Sequence, residues 1–156
     1  MDERARQRHC NPWSVYTRFT MIPLIGLALW SRVWLHWWAL LPVALVFLWI
    51  WMNPRVFPRP VTTKSWASKA VLGEWVWMRR KTVAIPIHHR HLPNLLSLAA
   101  GLGMAVFLIG VAVLHLWLTL LGGCISFLVK LWFADRMVWL YQEMKDATQE
   151  YQSWLY

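Results

Sequence analysis

The chain alternates between two long apolar blocks and a polar, basic stretch between them. The first block runs from Trp13 to Met52 and the second from about Leu95 to Tyr141, each interrupted near its middle. Apolar pieces of about 20 residues match a hydrocarbon core of ~30 Å at ~1.5 Å per helical residue. The pattern therefore predicts an all-α integral membrane protein, with four transmembrane helices in two hairpins.

Asn11-Pro12 starts helix 1, with Asn as N-cap and Pro at the first helical position. Helix 1 is expected over Trp13–Trp30, Ser31-Arg32-Val33 as an outer turn, and helix 2 over Trp34–Met52. Asn53-Pro54 is expected to stop helix 2, because a residue before proline disfavours the helical region. Pro23 and Pro42 fall inside spans, where kinks are tolerated if neighbours satisfy the freed carbonyls. Helix 3 is expected over Leu95–Leu114 and helix 4 over Thr119–Tyr141. The turn between them is placed at His115-Leu116-Trp117-Leu118, since Trp favours the interface. The Gly pair Gly122-Gly123 is the competing turn.

The resulting segments are a basic tail (1–12), hairpin 1 (13–52), a basic segment (53–93), hairpin 2 (94–141) and a C-terminal tail (142–156). In the basic segment, Pro54, Pro58 and Pro60 impose extended backbone, and Ser65 caps a predicted amphipathic helix near 66–80. Residues 142–156 read as a short surface helix or a frayed tail.

Charge fixes the orientation. The basic segment carries Arg55, Arg59, Lys64, Lys69, Arg79, Arg80, Lys81 and Arg90 against a single carboxylate, Glu74. The N-terminal tail adds Arg4, Arg6 and Arg8, while the outer turns carry only Arg32. By the positive-inside rule both termini and the basic segment are cytoplasmic, in a cell membrane. Those eight cations are then candidate partners of anionic lipid headgroups.

The net charge of +9 would also suit nucleic acid. The cations lie in short stretches beside hydrophobic spans, which favours lipid, and no nucleic-acid partner is expected. Among the 14 tryptophans, most fall at the two predicted interfaces, as aromatic belts do. Cys10 and Cys124 make no disulfide framework. The first apolar run ends in Trp30-Ser31-Arg32 rather than in small residues, so it reads as a retained helix and not as a signal peptide.

Lys130 is the most informative single residue. A lysine at a helix centre costs about 2.5–3.5 kcal/mol on insertion scales, so it faces protein, water or the headgroups. At about 100° per residue, Thr119, Gly123, Ser126, Lys130, Ala134, Met137 and Tyr141 fall within about 40° of one line. Glu74 sits in the apolar half of helix 66–80 and needs a cation. A Glu74–Lys130 pair is expected, with Arg18 as the alternative cation. The plainer reading is an interfacial helix with Glu74 at its edge, and a lysine that snorkels.

His88-His89-Arg90-His91 offers three imidazoles as metal ligands, but no nearby Cys or carboxylate completes a set in the sequence. A headgroup surface is the competing use. His36 and His115, both near the outer boundary, could hold a haem or line a quinone pocket. Interfacial histidines bonded to headgroups or backbone are the plainer reading, and no cofactor is predicted.

Asp135-Arg136 reads as a surface pair. Ala99, Gly103, Val106, Gly110 and Val113 form a small-residue seam for helix packing or dimerisation. There is no phosphate-binding glycine loop, nucleophile elbow, Cys-x-x-Cys or His-Glu-x-x-His, which leans against an enzyme.

Three stretches together resemble a family: Asn11-Pro12-Trp13-Ser14-Val15-Tyr16-Thr17-Arg18-Phe19, Trp66-Ala67-Ser68-Lys69-Ala70-Val71-Leu72-Gly73-Glu74, and Lys130-Leu131-Trp132-Phe133 through Asp135-Arg136-Met137-Val138-Trp139-Leu140-Tyr141. They are similar to an uncharacterised family of small prokaryotic membrane proteins, a domain of unknown function. The resemblance covers about residues 11–141 and implies no activity, cofactor or catalytic residue. The expected function is a non-enzymatic accessory or scaffold protein that contacts anionic lipid, with other membrane proteins or copies of itself as further candidate partners. The alternative is a small redox or transport element using His36/His115 or Lys130/Glu74.

Overall fold

The computed structural model describes residues 7–156, all-helical with no strand among them. Arg4 and Arg6 of the basic tail lie outside the described residues. The helices are α1 Pro12–Phe19, α2 Met21–Trp30, α3 Arg32–Leu35, α4 Leu40–Val56, α5 Trp66–Met78, α6 Leu92–Ala112, α7 Leu116–Met144 and α8 Gln149–Ser153, with 3-10 turns at His36–Ala39 and Ile87–His89. Three stretches are long and apolar enough to cross a membrane: Pro12–Val56, Ile87–Ala112 and Leu116–Met144.

The first of these doubles back on itself. Asn11 accepts from the Trp13 amide and Pro12 opens α1, as the sequence requires. Pro23 cannot donate to the Phe19 carbonyl, and the chain breaks slightly at Thr20 between α1 and α2. The reversal occupies Arg32–Ala39, where His36 adopts φ 47°. α4 then returns along α2, and its far end meets α1 through a buried polar knot. Ser14 Oγ donates to Asn53 Oδ1 at 2.9 Å, and Asn53 Nδ2 donates to Thr17 Oγ1 at 2.6 Å.

Asn53-Pro54 does not stop this helix. It continues to Val56, and Phe57, extended before Pro58, ends it. Asn53 thus lies inside a helix at 0% exposure, anchored by its two hydroxyl partners. Replacing it with Leu leaves Ser14 and Thr17 without their partner. The expected loss is about 2 kcal/mol, read as a lower melting temperature of the detergent-solubilised protein.

The second hairpin turns at Val113–His115, earlier than expected, and Gly122 and Gly123 both lie within α7. Leu114 takes φ 55°, and the His115 amide donates back to the Gly110 carbonyl at 2.9 Å. That is a left-handed helix ending, here built without glycine at its usual position. Arg32 reaches over from the first hairpin and donates to the carbonyls of Val111 and Ala112. A cation at a helix C-terminus satisfies free carbonyls and complements the dipole.

α6 and α7 pack through Gly103, Gly110 and Gly122, where a β-carbon would meet the backbone of Ser126, Thr119 and Phe107 respectively. The small-residue seam is therefore used for packing within the chain. Phe107 belongs to it, whereas Val113 points outward at 64% exposure.

The main core lies at one end. It joins Cys10 and Val15 to Ala67, Val71, Leu72 and Val76 of α5, and to Met137, Leu140, Tyr141 and Met144 of α7. Ser65 caps α5 by accepting from the Ser68 amide. α5 is not an amphipathic surface helix. Leu72 and Val76, which interrupt its expected polar face, are 2% and 0% exposed. A helix that is apolar on more than one side is buried on more than one side.

Residues 7–10 are also folded in rather than loose, with Cys10 at 2% exposure and its carbonyl accepting from Ser68 Oγ. Burial pushes the Cys10 thiol up to about 12, against the opposing influence of Arg18. Cys10 should thus resist maleimide at pH 8 until the chain is unfolded, which mass spectrometry of the labelled protein reads directly.

The C-terminal tail is not frayed. Tyr151 of α8 is fully buried, Tyr141 Oη donates to its carbonyl, and Thr63 bonds both Trp154 and Tyr156. Away from this core the balance inverts. Leu24, Leu27, Leu45, Phe47, Leu98 and Leu102 all face outward.

Candidate lipid-binding groove

A groove runs between the α1–α2 arm and α7, and the two walls are helical stripes. On the first arm, Val15, Arg18, Phe19, Ile22, Pro23, Gly26, Leu27 and Trp30 recur every three or four residues. On α7 the facing positions are Thr119, Gly123, Phe127, Lys130, Ala134 and Met137. This is most of the stripe drawn from the sequence, with Ser126 turned instead towards Gly103 of α6.

The groove has two compartments. Towards the core is a cleft of about 320 Å³ whose charged residues are Arg18, Glu74 and Lys130. Towards the turns at Arg32–Ala39 and Val113–His115 is a furrow of about 520 Å³ lined almost entirely by apolar side chains, with Trp30 and Thr119 bonded across it at 3.4 Å. Phe19 and Phe127 meet edge-to-face at 6.1 Å where the compartments adjoin.

The three candidate charges thus share a cleft, but Glu74 and Lys130 form no direct ion pair, nor do Glu74 and Arg18. The reason is the crossing point of α5 on α7. Gly73 packs directly on the Met137 carbonyl. Lys130 is seven residues before Met137, about 10 Å along the helix, so its head opens onto the cleft rather than onto Glu74. Arg18 is held by the carbonyls of Ser14 at 3.1 Å and His9 at 2.9 Å, and Glu74 acts on it electrostatically. Arg18 is therefore fixed and partly buried, whereas Lys130 is exposed and unanchored.

The basic segment divides in two. Arg55 stacks on Trp51, Arg59 on Tyr156 and Arg80 on Trp77, while Arg79 pairs with Glu150 at 2.8 Å. These four are engaged within the chain. Lys64, Lys81 and Arg90 are exposed, and Lys69 is half-buried. Asp135 accepts from Trp66 Nε1 at 3.3 Å as well as from Arg136, so this pair also helps tie α5 to α7.

His36 and His115 are both exposed on their turns. His115 Nδ1 accepts from the Leu118 amide and caps α7, which leaves one ring nitrogen free. The open cavity of about 430 Å³ at His36 is lined by Arg32, Val33, Trp37 and Leu114 rather than by His115. Its left-handed backbone is the more notable feature of His36. His36→Gly should relieve strain and raise stability by about 1 kcal/mol, seen as a higher melting temperature. His88 and His89 share a 3-10 turn facing Glu143, and His91 stands apart as an exposed residue at the start of α6. Glu143 and the α2 wall of the furrow are the contributions that sequence reasoning missed. Only the apolar face of α2 carried a local signal.

A family profile matches residues 1–154, spanning both walls of the groove, α5 and the tail. The chain belongs to DUF6653, a family of unknown function. No curated protein matches it, and no solved structure matches it. The chemistry of this DUF6653 chain must therefore be read from its own residues.

Proposed function

We propose that this is an integral membrane protein of four spans, arranged as two hairpins with both termini cytoplasmic, that seats an anionic lipid in the groove between α1–α2 and α7. Its role is that of a non-enzymatic accessory or scaffold protein. The observation that carries this reading is the adjoining of a cationic cleft and an apolar furrow along one pair of helices. A headgroup would sit between Arg18 and Lys130, and an acyl chain would follow the furrow towards Trp30.

Outward-facing Leu and Phe side chains remote from the core support the membrane assignment, since such exposure is costly in water and neutral in lipid. The cations at the core end support the orientation. Exposed Lys64, Lys81 and Arg90 would add headgroup contacts worth about 1 kcal/mol each. Trp37 and Trp38, more than three-quarters exposed at the outer turn, suit the interface or a membrane partner.

The test is lipid retention. Protein exchanged extensively into a neutral detergent should keep about one anionic phospholipid per chain, identified by mass spectrometry of the extract. Retention of zwitterionic lipid in proportion to the membrane would refute the assignment. Ion-coupled transport would use the same three charges, and is distinguished by proton- or substrate-dependent flux in liposomes that Lys130→Ala abolishes.

A further inference from the structure

Sequence spacing offers the His88–His91 run no carboxylate, but the fold supplies one. Glu143, on the last turn of α7, meets the 3-10 turn Ile87–His89. Its Oε2 lies 3.0 Å from His88 Nε2 and its Oε1 3.3 Å from His89 Nε2. The three donor groups lie within 4.8 Å of one another. Tetrahedral zinc, with bonds of about 2.0–2.1 Å, sets neighbouring donor atoms about 3.3 Å apart.

A second observation concerns His89 alone. Its side chain is only 6% exposed, and its Nε2, 3.3 Å from Glu143 Oε1, makes no well-formed hydrogen bond among the described residues. A buried imidazole nitrogen held only by a long, poorly formed contact is costly, and a metal ion between it and the carboxylate would satisfy both. The turn that presents it is fixed, since the His89 amide donates to the Pro86 carbonyl at 3.0 Å and the Arg90 amide to Ile87 at 3.1 Å.

We propose that His88, His89 and Glu143 form a binding site for a divalent transition-metal ion of the zinc class. Two imidazoles and one carboxylate are a borderline donor set that suits Zn²⁺ and leaves a fourth position for water. The ion would clip the loop before α6 to the end of α7, at the core end of the molecule. His91 takes no part.

The test uses the full chain without a histidine tag, in detergent micelles and stripped by chelator, titrated calorimetrically with Zn²⁺ alone. One ion per chain is expected, and Co²⁺ in its place should give visible d–d absorption. Loss of a group that only hydrogen-bonds to a metal ligand already costs about 10–100-fold in affinity, so Glu143→Gln and His88→Ala should each weaken Zn²⁺ by about 100-fold or more. Both side chains are well exposed, at 41% and 64%, so these variants should keep the wild-type melting temperature of the metal-free protein. His91→Ala should change affinity less than about twofold, well below the loss expected for a group that supports a ligand. Absence of stoichiometric uptake, or uptake unaffected by Glu143→Gln and His88→Ala, would overturn the site and leave a plain imidazole–carboxylate contact.

Discussion

Gly73→Ala should lower the melting temperature by about 10 °C, from a loss of about 3 kcal/mol at about 2–4 °C per kcal/mol for a chain of this size. A methyl group at Gly73 would overlap the Met137 carbonyl, and backbone cannot swing aside as a side-chain tip can. α5 would have to lift from α7, opening the core at Leu72, Val76, Met137 and Leu140, which are among the least exposed residues in the chain. The control is Gly101→Ala on α6, where a new β-carbon has nothing within 4 Å. That change should leave stability equal or raise it by up to about 1 kcal/mol through helix propensity. Equal melting temperatures for the two variants would mean that α5 and α7 do not cross at Gly73.

The second large effect concerns the groove. Arg18→Gln with Lys130→Gln should reduce retention of an anionic phospholipid about 30-fold, taking about 1 kcal/mol for each cation near a headgroup. Lys130→Gln alone should lose about fivefold with little change in stability, because its head is exposed and makes no bond to any described residue. Arg18→Gln should cost stability as well, since it releases the Ser14 and His9 carbonyls. Retention measured in mixed micelles against a zwitterionic competitor separates the two effects. Loss of both lipids alike would point to unfolding rather than to a headgroup site.

Much of this architecture was legible because local signals agree with the tertiary result. Asn11-Pro12 and Ser65 start the helices they announce, and the α7 stripe from Thr119 to Met137 lines the groove. The failures have definite causes. Asn53-Pro54 looked like a stop, but hydrogen bonds from residues 36 and 39 positions away hold Asn53 in a helix. The turn between α6 and α7 needs left-handed backbone and takes it at Leu114, a residue that carries no turn signal.

Leu72 and Val76 were visible as defects in an amphipathic face. They are instead the sign that α5 is covered on a further side. The Glu74–Lys130 pair was drawn from a shared need for a partner, and the α5/α7 crossing at Gly73 sets their separation. Glu143 meets His88 across 55 residues, a distance at which no spacing rule operates.

The central claim, that a lipid occupies the furrow between α2 and α7, is tested most directly by mapping where a photoactivatable anionic phospholipid attaches in membranes. The account predicts adducts concentrated on the furrow walls, at Ile22–Trp30 and Leu116–Phe127, and suppressed by Arg18→Gln with Lys130→Gln. Adducts spread evenly over the outward face of α4, from Leu41 to Trp51, with no response to those substitutions, would contradict it.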